Sequence, residues 1–465
     1  MATAVAVAAP SGAAQTVHGA RLAPDAPGVV EAGLRLRHLD GVKRVLMIGA
    51  HPDDEDTALL AALARGQGVE TAYLSLTRGD GGQNLIGPEL GEGLGVIRTG
   101  ELEAARRVDG GRQFFTRAYD YGFSKSADEA FRHWPRDEVL RDIVWVIRTF
   151  RPQVIVSVWT GTRRDGHGQH QASGILATEA FEVAADPSAY PEQAALDAPA
   201  WRADKLYHSV RFTNDPAPLA VPTGRLDPLL GRSHFQVAME SRSQHRSQDM
   251  GVPQRPGPRT SGLRLVGSHV GALGEGSPLF EGVDTTLTGW VERLGGTELA
   301  AAAAPALDRY RAAVSEAAEA LDVLHPERAA LPLARALLAL RDAVGAAPGD
   351  SPARAALEER LDQAERAFLA VASIEVDARS DDDLVVPGQT VHTRTLVWNG
   401  GGLGVRTRVY PRLRGAHPVG GDARPRSDDE VHAWRDVAPG ELAEVEGVWR
   451  LDARAPASVP YYLRS

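Results

Sequence analysis

One stretch constrains this chain more than any other: a strand–turn–helix unit whose turn is built from a histidine and acids. Arg44-Val-Leu-Met-Ile-Gly49 is an apolar run of strand length, and Thr57-Ala-Leu-Leu-Ala-Ala-Leu-Ala64 carries helical spacing. Between them stands Ala50-His51-Pro52-Asp53-Asp54-Glu55. In open α/β sheets the turn at the carboxyl end of a strand is where ligands bind. A second apolar strand, Gln153-Val-Ile-Val-Ser-Val-Trp159, is followed by Asp165-Gly166-His167-Gly168-Gln169-His170. Histidines and carboxylates at two strand ends supply one metal site with an open position.

The surrounding pattern sets the fold class. From 41 to 215, strands at 44–49, 71–77, 153–159 and 205–212 alternate with helices at 54–65, 96–108, 136–150 and 170–185. This alternation predicts an α/β fold: a Rossmann-like, mostly parallel sheet with helices on both faces. Residues 216–295 are irregular and rich in Gly, Pro and Arg, with one helical stretch at 234–249, and are expected to wall a cleft. Leu299–Leu324, Arg328–Val344 and Ala353–Val371 are Ala/Leu-rich with helical spacing. Beyond 374 the pattern alternates, with Asn399-Gly-Gly-Gly402 as a turn, and predicts a β-sandwich-like domain. The expected organisation is a leader over 1–40, an α/β domain over 41–295, a helical segment over 296–373 and the β domain over 374–465. The apolar Val459-Pro-Tyr-Tyr-Leu463 ends the chain abruptly for a sandwich, so a continuation of the natural protein past Ser465 is expected.

Composition narrows the chemistry. The chain of 465 residues has no cysteine, so any metal must be held by His, Asp or Glu. The net charge of -10 argues against nucleic acid as a partner. No apolar run is long enough to span a membrane. The sequence leaves the oligomeric state open. Met1–Gln15 reads equally as a weak export signal and as a disordered leader; an extracytoplasmic location is slightly favoured over a cytoplasmic one.

His51 and Asp54 stand three apart and can face one ion, with His170 completing the set. Asp53 then lies within reach of a metal-activated water as general base, and His167 of the oxyanion or leaving group. The competing reading of Asp53-Asp54-Glu55-Asp56 is a capped helix start, because acids satisfy the free N–H groups there. Thr77-Arg-Gly-Asp80-Gly-Gly-Gln83-Asn84 follows the second strand and reads as a Gly-rich turn or as a substrate loop through Asp80, Gln83 and Asn84. Arg98 is a contact for a sugar hydroxyl or an anion, or an ordinary surface arginine; His245 faces the cleft or simply sits on a helix. No G-x-G-x-x-G, P-loop or G-x-S-x-G element follows a strand, which disfavours a dinucleotide enzyme.

On these residues the chain resembles the PIG-L/LmbE family of zinc-dependent de-N-acetylases. The signature A-H-P-D-D-E occurs unaltered at Ala50–Glu55, and H-x-x-H matches His167–His170, with Gly168-Gln169 where Pro-Asp is usual. R-x-x-E-L matches Arg98–Leu102 and H-x-S-Q matches His245–Gln248. The resemblance spans roughly 41–290 and implies Zn2+, or another divalent metal, on His51, Asp54 and His170. It implies Asp53 as base, His167 as acid or electrostatic stabiliser, and Arg98 as a substrate contact. The implied reaction removes an N-acyl group from an amino sugar or glycoconjugate, so the expected partner is a small-molecule or glycan substrate carrying an N-acyl amine. The alternatives are a metal-dependent amidase acting on a non-sugar N-acyl compound, and a glycan-binding protein with a vestigial zinc site.

Overall fold

The computed structural model describes residues 28–212, 216–271, 273–407, 413, 415–419 and 435–457, with backbone alone at 7–8 and 409–410. The Met1–Gln15 leader, apart from the backbone of Val7–Ala8, and the terminal 459–463 segment lie outside the described residues. The chain divides into two compact units. One is Gly41–Thr286; the other combines Asp25–Asp40 with Leu287–Arg464. A first helix, Val29–Leu39 (α1), belongs to the second unit.

The first unit is built on a seven-stranded sheet. Its strands are Arg44–Gly49 (β1), Glu70–Ser75 (β2), Arg112–Phe115 (β3), Val154–Ser157 (β4), Lys205–Ser209 (β5), Leu219–Pro222 (β6) and Thr260–Ser268 (β7). The spatial order is β3-β2-β1-β4-β5-β7-β6. The first five strands are parallel, whereas β7 pairs antiparallel with both β5 and β6. Every residue of β1 and of β4 is buried, as expected for strands covered on both faces. The strands β3, β6 and β7 extend the sheet beyond the sequence expectation. Each lies in Gly-rich or Pro-rich sequence, and β3 has only four residues between Gly111 and Thr116.

The helices of this unit are Thr57–Ala61 continued by a π turn at Ala62–Gly66 (α2), Glu92–Asp109 (α3), Ala127–His133 (α4), Arg136–Phe150 (α5), Gly168–Val183 (α6) and His234–Arg242 (α7). Helices α2, α3 and α7 pack together, as do α4, α5 and α6. Right-handed crossovers put these two groups on opposite faces of the sheet. The strand order reverses between the neighbouring parallel strands β1 and β4, so a crevice opens at their carboxyl ends. Both histidine-bearing turns stand there.

The second unit holds α1, Leu287–Gly295 (α8), Thr297–Ala320 (α9), Ala330–Ala346 (α10) and Pro352–Val371 (α11). Residues 29–39, expected as part of a loosely packed leader, instead form a helix that packs on α9 and α11. The Tyr310 hydroxyl donates to Leu39 O at 2.9 Å, and Arg360 donates to His38 O. The alternating C-terminal pattern forms an antiparallel sheet from Ile374–Ser380 (β8), Thr390–Asn399 (β9), Ala416–Pro418 (β11) and Leu442–Leu451 (β13), ordered β8-β9-β13-β11. Val405–Thr407 (β10) pairs separately with Arg435–Val437 (β12).

Candidate metal centre

The four consecutive acids after His51 divide into four jobs. Asp56 caps α2: its Oδ1 accepts from Leu59 N at 3.0 Å. Glu55 is wholly buried and receives Arg106 Nη2 at 3.0 Å and His245 Nε2 at 2.9 Å on Oε1, and Asp53 N at 2.9 Å on Oε2. Asp54 turns back under the strand end. Its Oδ2 accepts from Ala50 N (2.8 Å), His51 N (2.9 Å) and Trp159 Nε1 (2.8 Å). Asp53 alone is left half-buried, at φ 85, a left-handed conformation that side-chain-bearing residues rarely adopt. Helix capping and metal ligation are therefore both present, on different residues.

With Oδ2 committed, Asp54 presents Oδ1, which lies 3.6 Å from His170 Nε2. His51 Nδ1 lies 3.7 Å from Asp54 Oδ2. Ligand atoms of His51, Asp54 and His170 all fall within 4.8 Å of one another. The hydrogen bonds behind the two rings suit this use. His170 Nδ1 faces the Asp165 carbonyl at 3.2 Å, so it carries the proton and Nε2 keeps its lone pair for the centre. Burial pushes the His170 imidazole down to about 4, so it is neutral at neutral pH. His51 Nε2 lies 2.9 Å from Gln169 Oε1. The other end of that amide, Nε2, donates to Asp120 Oδ1 at 3.1 Å and to Gly122 O at 2.8 Å, two groups that only accept. The Gln169 oxygen therefore faces His51, and His51 must donate from Nε2, leaving Nδ1 as its ligand atom. A His-Asp-His set with oriented rings and no thiolate suits a divalent metal.

Asp53 sits beside this set. Burial raises its carboxyl above the ordinary value, and the cation of Arg98, 3.2 Å away, partly offsets that. Burial also works to raise Asp54, but His170, His51 and the Trp159 N–H outweigh it and hold that carboxyl low. One carboxylate is thus tuned toward accepting a proton and its neighbour toward staying ionised. His167 stacks on His51 with centroids 5.2 Å apart. Its Nδ1 lies against Ser124 N and Oγ, both at 3.3 Å, while Nε2 has no protein partner among the described residues. Burial, then His51, lowers its imidazole.

The side chains expected to touch substrate are placed less uniformly. Arg98 is 3% exposed, and its guanidinium donates to Pro52 O (2.7 Å), Gly79 O (3.2 Å) and Asp53 Oδ2 (3.2 Å). His245 is fully buried beneath the turn on Glu55. Arg242 Nη1 donates to Asp53 O at 2.9 Å, and Arg211 Nη1 to Glu55 O at 2.5 Å. Arg98, Arg106, Arg211 and Arg242 together grip the 52–55 backbone and its acids. The sequence motifs also bond to one another: Ser247 N and Oγ donate to Glu101 at 2.6 Å each, and Gln248 Nε2 donates to Gln83 O at 2.7 Å. Asp80 is half-buried with Oδ2 near Asp120 N, Gln83 is exposed, and Asn84 uses its Oδ1 to cap Ile86 N and Gly87 N at 3.1 Å. Sequence reading passed over Trp159 and Gln169. Trp159 stacks on the His170 ring at 3.7 Å while its N–H holds Asp54. Its one sequence signal is its position at the very end of an apolar strand run facing the site.

A Rossmann-like sheet with an oriented His-Asp-His set at its switch point, and the Arg98-bonded carboxyl of Asp53 beside it, defines an α/β protein with a cluster that could hold a metal ion. The PIG-L family, described as GlcNAc-PI de-N-acetylase, matches residues 46–181. A 1D-myo-inositol 2-acetamido-2-deoxy-alpha-D-glucopyranoside deacetylase of Thermobispora bispora is 33% identical over 190 residues, 36% of this chain and 59% of that protein. The protein of the same description from Thermobifida fusca is 31% identical over 210 residues, 39% of this chain and 70% of that protein. The chain belongs to the PIG-L family. Among solved structures, the N,N'-diacetylchitobiose deacetylase of Pyrococcus horikoshii aligns with a TM-score of 0.38 and 19% identity over 51% of this chain and 88% of that one, a likeness too low to inform the site.

Proposed function

We propose that this protein is a zinc-dependent hydrolase that removes an N-acetyl group from an amino sugar or its glycoside. The observation that carries the reading is Asp53: a half-buried carboxyl of raised pKa, bonded to Arg98 and held in a left-handed turn between two residues of a metal-competent triad. Family membership and the two inositol-glucosaminide deacetylase relatives support the substrate class.

His51 Nδ1, Asp54 Oδ1 and His170 Nε2 would hold the ion. When bound, zinc supplies Lewis acidity toward an acyl carbonyl and toward water. Asp53 accepts the proton of the attacking water, aided by its raised pKa. The arginine grip on its backbone keeps the carboxylate aimed as the charge on it changes. His167, through the Nε2 that has no partner among the described residues, donates a hydrogen bond to the developing oxyanion, and Asp53 returns the proton it took from water to the departing amine. Collapse of the tetrahedral intermediate releases acetate and the free amino sugar.

The test is acetate release from N-acetylglucosamine, N,N'-diacetylchitobiose and the inositol glucosaminide of the relatives. Release that disappears with a chelator and in Asp53→Ala supports the reading. Release that survives both, or none from any of the three with the metal bound, overturns it.

A further inference from the structure

Two phenylalanines stand in water beside the metal centre. Phe123 is 73% exposed and Phe212 is 49% exposed. Each is nonetheless stacked on a ring of the site. Phe123 lies on His167 with centroids 5.1 Å apart and planes at 27°; Phe212 lies on Trp159 at 4.8 Å and 14°. Trp159 in turn lies flat on His170 at 3.7 Å, and His167 and His170 are 4.9 Å apart. A continuous run of rings thus passes through the reacting histidines and ends in an exposed phenylalanine at either end.

The chain also commits specific groups to holding Phe123 where it is. Gln169 Nε2 donates to Gly122 O at 2.8 Å, and Gly168 N to Ser124 O at 2.9 Å, which fixes the residue on each side. A Cβ at Gly168 would stand 2.2 Å from Ser126 O, so the 124–126 backbone is seated against the start of α6 at a distance only glycine permits. These are the two positions at which the chain departs from the Pro-Asp usual in the H-x-x-H signature. An apolar ring kept in water by anchored backbone is a binding feature rather than core. The nearby cations are unsuited to a ligand, because the guanidinium groups of Arg98, Arg106, Arg211 and Arg242 are spent on the turn beneath.

We infer that Phe123 and Phe212 are the sugar platforms of this site: each takes the apolar C–H face of a neutral ring flanking the scissile amide. The inference rests on the proposed deacetylase reading and adds the recognition element to it. The occupant proposed is a pyranose or cyclitol ring, whose C–H face matches a flat apolar ring, rather than an open-chain N-acyl compound.

The experiment is steady-state acetate release from N,N'-diacetylchitobiose by the full chain and by the Phe123 and Phe212 variants to Ala, Leu and Trp, with metal content measured on each. Loss of one stacking face is expected to raise KM roughly three- to tenfold. KM should change more than turnover does, and metal content should not change. Leu should behave as Ala, because it is apolar without a face, and Trp should restore the KM. Unchanged KM in both alanine variants of an active enzyme overturns the platforms and leaves the deacetylase reading intact. Full rescue by Leu also overturns them, since it would assign the rings to packing. A wild-type chain that binds zinc yet releases no acetate overturns both readings together.

Discussion

Gln169 gives the sharpest handle on how this chain orients its centre, because its amide does two separable things. Its oxygen accepts from His51, and its nitrogen donates to Asp120 and Gly122. Gln169→Leu removes both functions at nearly constant volume. The His51 ring then loses the bond that fixes its proton on Nε2, and losing an outer partner of this kind costs about 10- to 100-fold in metal affinity. Gln169→Glu keeps an acceptor for His51 and strengthens it, but it has no N–H for Asp120 Oδ1 or Gly122 O and sets a carboxylate beside a carboxylate. Asp120 Oδ1 keeps Gly122 N as a donor, but Gly122 O loses its Gln169 donor, at about 1–3 kcal/mol. The glutamate variant should therefore bind zinc at least as tightly as wild type while losing about 1–3 kcal/mol of stability in the metal-free form. The assays are chelator competition for zinc and denaturant unfolding of the apo chain. Zinc affinity within threefold of wild type in the leucine variant would refute the orientation argument, as would an equal affinity loss in both variants.

Three further outcomes follow from the same geometry. Arg98→Lys cannot span Pro52 O, Gly79 O and Asp53 at once, so turnover should fall by up to about 100-fold with zinc content and KM nearly unchanged; a KM defect instead would return Arg98 to substrate contact. Glu55 is buried, which favours the neutral acid, but His245 and Arg106 outweigh this and hold its pKa below the ordinary 4.5. A depressed folded pKa gives stability that is full above 4.5 and lost as pH falls below it, so Glu55→Gln should cost about 3–5 kcal/mol at neutral pH and flatten the acid limb of the unfolding midpoint against pH. Gly168→Ala drives a Cβ against Ser126 O, and should displace the Phe123 loop, raising KM more than it lowers the unfolding temperature; an unchanged KM would separate Gly168 from that loop.

The sheet was legible where apolar runs were long and flanked by helical spacing, as at β1, β4 and their following helices. It was illegible at β3, β6 and β7, whose short pairings are set by neighbours far along the chain. Helix α1 was missed for a related reason: its few leucines bury against α9 and α11, more than 250 residues later. The clustering of His51, Asp54 and His170 was legible because the spacing within each turn is local. Arg98 and His245 were each read either as a cleft contact or as an ordinary surface or helix position; Arg98 bonds Pro52 O, Gly79 O and Asp53, and His245 bonds Glu55. The direction of a side chain depends on partners such as Pro52 O and Glu55, and residue type does not encode it. The structure gives both departures from the usual signature a job: Gly168 admits the neighbouring backbone and Gln169 fixes a tautomer.

The central claim is that His51, Asp54 and His170 hold the metal while Asp53 does chemistry beside it. Calorimetric zinc titration of the metal-free wild type, His51→Ala, His170→Ala and Asp53→Ala, with acetate release measured on the same samples, tests it most directly. The expected result is one tight site in wild type and in Asp53→Ala, none in either histidine variant, and acetate release in wild type alone. Tight zinc binding in the histidine variants, or undiminished acetate release by Asp53→Ala, would contradict it.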